Sequence, residues 1–558
     1  MSWSNALCAI TIAALAAVVL WPGLHGFWGR DDFGQLAFVR LLDSPWPLFL
    51  HDHYFAPGSV FRPLGFASMW LCERWFGRDY AANAAVDLAL HISVSLALFG
   101  LMRRTRIPRM VALPCAALFA LHPAAVGTAL WWSARFDLLA ALFVLLSLNA
   151  AFAYRSGGPA LTLVTALAAA LAAALSKEIG LVAIAAQSLV WLRWAWAEPA
   201  HRARALRAVS LSWLCALIFL GWRWVVLGTL SSSLTVMVPL GDAMRRGLQA
   251  WVIQAPGYLT FWPRLDVLQR VTLGSCCAAA VVATGIVAIR QRGRIAELTN
   301  GDMVLSGVCL LLLPVVLQAP VAAFAAPIGA QISAVETAMQ SRLYYLGIAG
   351  AAIVLAALAS ACWNASATRL RIACVLPPML SVLALASISR DGAQAFAQRS
   401  LEISSVARAA ATAVATMPLP SSPCHVMFLD VQPPPEWGTY VAMDAVIKAL
   451  SPDLDRVKHC WFHANYGTLL NLMAAPVSPA DAAPYLPLEV DGRPLPWRTL
   501  GGVVLAYLRP PESVGTPANR RGCCSCAIAT VALTMSARML PAAILLCDWN
   551  ETGPEPEM

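Results

Sequence analysis

Charge is what this sequence has least of. Asp, Glu, Lys and Arg make up 12% of its 558 residues, about half the ~25% usual in soluble domains. With a mean hydropathy of +0.66, that scarcity excludes a soluble enzyme and a disordered chain. The excess of 39 Lys and Arg over 30 Asp and Glu does not signal nucleic acid. The bases collect in short segments between apolar runs, as the positive-inside rule arranges them. A solenoid repeat is also missing, as is a second cluster of ligands that would make a zinc site of Cys523, Cys524 and Cys526. The first apolar run, residues 6–21, lacks a basic start and a small-residue cleavage site, so it reads as a retained span. Cysteines are not scarce, but Cys115, Cys215, Cys276, Cys277 and Cys309 sit inside apolar runs as small packing residues.

What is present is a succession of apolar runs near the ~20 residues that cross a bilayer. They fall at residues 6–21, 83–102, 110–130, 136–154, 160–175, 179–196, 209–227, from 271, and at 303–321, 343–362 and 372–389. The third is broken near His122-Pro123, because proline cannot continue the hydrogen-bond ladder. Residues 244–262, with Arg245, Arg246, Gln249, Gln254 and Pro256, suit a surface or re-entrant helix. Arg103, Arg104, Arg106 and Arg109 put the end of the second span in the cytoplasm and the first loop outside. From Arg390 the composition turns soluble: one amphipathic helix at 390–417, short strands at 426–430 and 503–508, and an Asp491-Gly492 turn. Cys424 and Cys460 fall in this region, where a disulfide is open to them. Residues 512–558, with an apolar run ending at Cys547 and interrupted by Arg538, are either a late anchor or a stretch with no packed role.

The fold class expected is an all-α polytopic membrane protein of about eleven transmembrane helices with a small α/β extracytoplasmic C-terminal domain. The boundaries read at 1–389, 390–511 and 512–558.

Ionisable groups in or beside spans are expensive, so each invites a functional reading. Asp31 and Asp32 stand together in the first outer loop. Adjacent carboxylates repel, so the pair suits a cation, a hydroxyl nucleophile or a divalent metal; the plain alternative is a solvated turn. One of them, with Asp32 favoured, would take the proton of an acceptor hydroxyl as it attacks a sugar carbon. Arg62, Arg135, Lys177 and Arg342 fall on the same side of the membrane and would hold a phosphate leaving group. The supporting residues are Asp87 and His91, one helix turn apart and suited to a buried pair, with His122, Asp137, Glu178, Tyr344 and Tyr345.

In this order the residues resemble the C-type (GT-C) glycosyltransferase superfamily, and within it the protein O-mannosyltransferases and the transmembrane-and-TPR mannosyltransferases. The resemblance rests on Asp31-Asp32, Arg62-Pro63-Leu64, His91, His122-Pro123, Arg135-Phe136-Asp137, Ser176-Lys177-Glu178-Ile179-Gly180, Tyr258 to Pro263, and Arg342-Leu343-Tyr344-Tyr345. It covers roughly residues 25–350. It implies a polyprenyl-phosphate sugar donor, an outward-facing site, inversion at the anomeric carbon and a first-loop Asp as base. The acceptor would be a glycan, a lipid or a protein, and the setting a bacterial inner membrane with its active site facing the periplasm. The chain departs from the pattern in having Ser341 where an acid usually precedes the arginine, Asp87 where an Asn is usual, and no TPR repeats. Two rivals stand beside this reading. One is a multi-span transporter of a lipid-linked or anionic substrate. The other is an inactive family member acting in glycan assembly.

Overall fold

The structure, a computed structural model, describes residues 3–51, 60–229, 241–242, 244–249, 252, 300–322, 340–365, 368–416, 419, 424–429 and 443–464, and strands at 489–490, 493–494, 497–500, 503–507, 525–532 and 541–548. They fall into two compact units, Met1–Trp28 with Leu42–Leu401, and Gly29–Leu41 with Glu402–Met558.

In chain order the first helices are α1 Trp3–Leu20, α2 Asp31–Arg40, α3 Pro47–Leu50, α4 Pro63–Phe76, α5 Tyr80–Arg104, α6 Arg109–Ala120 and α7 Pro123–Leu130. They continue with α8 Arg135–Arg155, α9 Ala160–Ser176, α10 Val182–Ala197, α11 Arg202–Leu227, α12 Gly301–Ala322, α13 Tyr345–Ala365 and α14 Thr368–Ile403. All but α2 lie in the first unit, apart from the last two residues of α14. Six helices of the described residues are long and apolar enough to cross a membrane, seven if the bent pair of α6 and α7 counts as one span. About eleven are expected from the sequence. The runs at 160–175 and 303–321 form the shorter apolar helices Ala160–Ser176 and Gly301–Leu317. The run at 372–389 continues without interruption into a 36-residue helix that passes through Arg390. The run from 271 and nearly all of 244–262 lie outside the described residues.

The expected break at His122-Pro123 is a 61° bend, and its hydrogen bonds account for it. Pro123 has no amide hydrogen, so α6 ends at Ala120 and the His122 ring caps α7, its Nδ1 accepting the Ala124 amide at 3.2 Å. Carbonyls at the bend then need other donors, since buried backbone groups cannot stay unpaired in lipid. His91 Nε2 donates to the Ala120 carbonyl at 2.9 Å, and Ser389 Oγ to Leu121 at 2.7 Å. Beyond the bend, Ser341 Oγ adds a bond to the Ala124 carbonyl inside α7 at 3.0 Å. At the other end of the bundle Asp302, in the first turn of α12, pairs with Arg155 of α8 and with Arg193 of α10.

In the second unit a four-stranded sheet has the order β2-β1-β6-β5, made of β1 Cys424–Leu429, β2 Cys460–Ala464, β5 Trp497–Leu500 and β6 Val503–Tyr507. β1 pairs in parallel with β2 and β6, while β5 and β6 run antiparallel. Parallel neighbours need a crossover, and α16, Met443–Leu450, lies between β1 and β2 in the chain with Val446, Ile447 and Leu450 buried. The helix α15, Ser405–Thr416, follows α14 after Ser404, so 390–417 is shared between two helices instead of forming one. Cys424 and Cys460, register partners in β1 and β2, form a disulfide. The short strands β3 Glu489–Val490 and β4 Arg493–Pro494 pair antiparallel around residues 491–492, which lie outside the described residues. In the tail, β7 Ser525–Ala532 and β8 Pro541–Asp548 pair as antiparallel strands, with Cys526 opposite Cys547, so this run is not a helical anchor.

The helix that carries the acidic pair, α2, belongs to this second unit. Its last residue, Arg40, donates from Nη1 to the carbonyls of Lys448, Ala449 and Ser451 at 2.7, 2.9 and 2.9 Å. Those carbonyls end α16, where no intrahelical donor remains and a cation complements the helix dipole.

Candidate functional site

The site is built on one tight turn. After α9, Lys177 takes an extended backbone and Glu178 starts a 3₁₀ turn to Leu181. The Gly180 amide donates to the Lys177 carbonyl at 2.8 Å. A Cβ at Gly180 would lie 2.1 Å from the Ala173 carbonyl carbon, so only glycine lets the turn fold back against α9.

From this turn two neighbouring side chains reach different partners. Lys177 Nζ donates to Asp137 Oδ1, in the first turn of α8, at 2.6 Å. Glu178 Oε2 accepts from Arg62 Nε and Nη2, both at 3.0 Å, and its Oε1 accepts from Arg223 Nη1 at 3.0 Å. Arg62 immediately precedes α4, and its guanidinium covers the Phe136 ring at 5.3 Å. Arg342, in the 3₁₀ turn Arg342–Tyr344 ahead of α13, stacks on the Trp131 ring at 4.2 Å. Burial pushes the Lys177 ammonium down to about 8; Asp137 opposes the shift, while Arg342 and Arg62 add to it. Three of the four cations expected to bind phosphate thus act on one another here. A buried lysine pressed by two guanidinium groups has much to gain from an anion.

Arg135 is placed elsewhere. It is fully buried, donates from Nε to Asp87 Oδ1 at 2.6 Å and from Nη2 to the Asn83 carbonyl at 3.2 Å, and covers the Trp132 ring at 5.6 Å. The pair joins α8 to α5 in the interior. Asp87 and His91 therefore do not pair with each other. His91, equally buried, uses its two nitrogens on Ala120 and on Tyr345 Oη, the latter at 2.7 Å. His122 caps α7, and Tyr344 is buried in the turn after Arg342.

Asp31 and Asp32 open α2 in the second unit, where their charge suits the helix N-terminus. They are unequal. Asp32 is 1% exposed and its Oδ2 accepts the Gly29 amide at 3.0 Å, closing the turn that starts the helix. The Asp31 side chain is 37% exposed, with Arg30 Nε 3.9 Å from its Oδ1. Arg30 itself sits at φ +42°, a conformation that L residues rarely adopt. Among the described residues, the one group of side chains close enough to share a metal is Cys424, His459 and Cys460, two of which form the disulfide.

No protein-family model and no curated protein matches this chain. Two crystal structures align with most of it. ArnT from Cupriavidus metallidurans bound to undecaprenyl phosphate aligns at 14% identity and a TM-score of 0.40, over 87% of this chain and 96% of that one. ArnT from the same organism in the apo state aligns at 15% identity and a TM-score of 0.34, over the same shares. At those values neither assigns a fold or a role, which rest on this chain's own side chains.

Arg223 is the residue that sequence reading passes over. It is 3% exposed, on α11. The signal is present: it is a charge inside a run long and apolar enough to span. Flanked by Trp222 and Trp224 near the end of that run, it reads as an interfacial anchor. Its pairing with Glu178 depends on α11 meeting the turn after α9, which no local pattern encodes.

Proposed function

We propose that the chain is a membrane glycosyltransferase. It moves a sugar from a polyprenyl-phosphate donor to an acceptor hydroxyl on the outer face of a bacterial inner membrane. The observation that carries this reading is the gathering of Lys177, Arg62 and Arg342 about one turn, with Lys177 pushed down by burial and by the other two. Such a cluster stabilises the charge that develops on a phosphate as the bond to the sugar breaks. A glycan, a lipid or a protein would supply the hydroxyl, and attack in a single displacement inverts the anomeric carbon.

A hydroxyl at neutral pH needs a base. Asp31 is the better candidate of the acidic pair, because Asp32 already spends Oδ2 on the Gly29 amide. This reverses the preference for Asp32 drawn from the sequence. Arg135 is assigned to structure instead of to donor binding, because its guanidinium is fully buried on Asp87. The sheet and helices of the second unit make the small α/β domain, and this domain faces the same outer compartment.

The test is transfer in detergent from a panel of polyprenyl-phosphoryl hexoses, read as released polyprenyl phosphate. Asp31→Asn should lower turnover by about 10²–10⁴-fold while Asp32→Asn mainly lowers the yield of folded protein. Arg342→Ala should lose about 2–4 kcal/mol of transition-state stabilisation. Unchanged turnover in both Asp31→Asn and Arg342→Ala would remove the assignment.

A further inference from the structure

The turn that carries Arg342 is hung at both ends from the bend between α6 and α7. Ser341, immediately before Arg342, donates to the Ala124 carbonyl on the far side of Pro123 at 3.0 Å. Tyr345, immediately after the turn, meets His91 Nδ1 at 2.7 Å, and His91 Nε2 meets the Ala120 carbonyl on the near side at 2.9 Å. A carbonyl only accepts, so Nε2 carries the hydrogen, Nδ1 is the acceptor and the Tyr345 hydroxyl donates. His91, Phe119 and Tyr345 also pack ring against ring, with centroids 5.2 to 5.8 Å apart. Arg342 itself lies on Trp131, the residue that ends α7. Among the described contacts, the residues on either side of this arginine's turn and the ring beneath it all lead to the bent helix pair, Tyr345 by way of His91 on α5.

We propose that the bend at Pro123 is a positioning device for Arg342, with Ser341, Tyr345 and His91 as its positioning residues. The proposal deepens the reading of Arg342 as a ligand of the donor phosphate and rests on it. A guanidinium on a long side chain binds phosphate well only when its planar fork is held in place. The bend supplies what a straight helix cannot. In a continuous span the Ala120 carbonyl would already accept from the Ala124 amide; at the bend His122 Nδ1 takes that amide at 3.2 Å, and the carbonyl is turned to His91. Ser341 then has a use in this chain: as a small hydroxyl it reaches a backbone carbonyl, where a carboxylate could not donate.

The network makes a prediction that simple stabilisation does not. Ser341→Ala and Tyr345→Phe each remove one hydroxyl and little volume. Binding of polyprenyl phosphate is measured on the full chain in detergent, for each variant alone and in the Arg342→Ala background. Each is expected to weaken binding about tenfold or more alone, as for a displaced binding group. Neither should weaken it further once Arg342 is absent, because residues that act as one unit are not additive. Unchanged binding in both single variants would overturn the proposal. So would equal losses in the two backgrounds, which would make the hydroxyls general supports of the fold, or unchanged binding by Arg342→Ala itself. Sugar transfer is scored separately. A chain that binds lipid phosphate through this network and transfers no sugar would sink the glycosyltransferase reading and leave this inference standing.

Discussion

Lys177 is where protonation and function meet most directly. Its ammonium is pushed down to about 8, so it is charged below that pH and neutral above it. An anion bound beside it favours the ammonium and moves the titration upward. The expected kcat/KM for the donor is therefore level below about pH 8 and falls as pH rises through it, while kcat, which reports the bound state, falls at higher pH. A kcat/KM profile that stays flat from pH 7 to pH 9.5 would deny Lys177 any role as a charge. The residues of this site were visible singly in the sequence, as charges beside apolar runs. Their sorting was not. Arg135 and Lys177 look alike in the sequence, one just before the run 136–154 and the other shortly after the run 160–175. Only packing sends the first to Asp87 and exposes the second to Arg62 and Arg342.

At the scale of elements, the sequence was most legible where a residue forbids something. Pro123 forbids an amide donor, and the bend is there. Gly180 forbids nothing, and its need shows only once the turn folds against Ala173. The long helix α14 was illegible at its middle. Arg390 looks like the end of a span, yet the backbone ladder carries on, because helix propagation needs only the next hydrogen bond and is indifferent to a change of solvent. The strand read at 426–430 is β1, since alternation of apolar residues is a local signal. The partner of Cys424 is not a local signal. It follows from the parallel register that sets Cys424 beside Cys460, 36 residues on. Cross-linking a loop of that length restricts the unfolded chain, so Cys460→Ser should cost about 2–4 kcal/mol. The loss should appear as a lower denaturant midpoint for residues 402–558, read by limited proteolysis. Wild-type resistance of that region in Cys460→Ser would mean that the sheet and α16 suffice without the cross-link.

The whole first unit sorts its charges by end. α5 has 25 residues, or about 37 Å at 1.5 Å each, which exceeds the ~30 Å apolar core of a bilayer. Its two ends therefore lie on opposite sides. Tyr80 begins it, and Arg103 and Arg104 finish it. Following the chain from there, α8 starts at the Tyr80 end and finishes with Arg155, and the turn after α9 brings Lys177 and Glu178 back. α10 then leaves again towards Arg193, and α11 returns with Arg223. One end collects Arg103, Arg104, Arg106, Arg109, Arg155, Arg193, Arg202 and Arg204, the pattern that faces the cytoplasm. The other end holds Arg62, Lys177, Arg223 and Arg342, tied to Glu178, Asp137 or an aromatic ring, with Arg135 buried on Asp87 and two exposed bases, Arg74 and Arg78, ahead of Tyr80. This sorting predicts labelling. A cysteine at exposed Asp43 should react with an impermeant thiol reagent on intact spheroplasts, in a background where every native cysteine except the bonded Cys424 and Cys460 is replaced. A cysteine at exposed Arg104 should react only after the membrane is opened. The reverse pattern would set Lys177 and Arg342 against the cytoplasm. A donor presented on the outer face could not then reach them, and the proposed direction of sugar transfer would have to be abandoned even if every contact at the turn were correct.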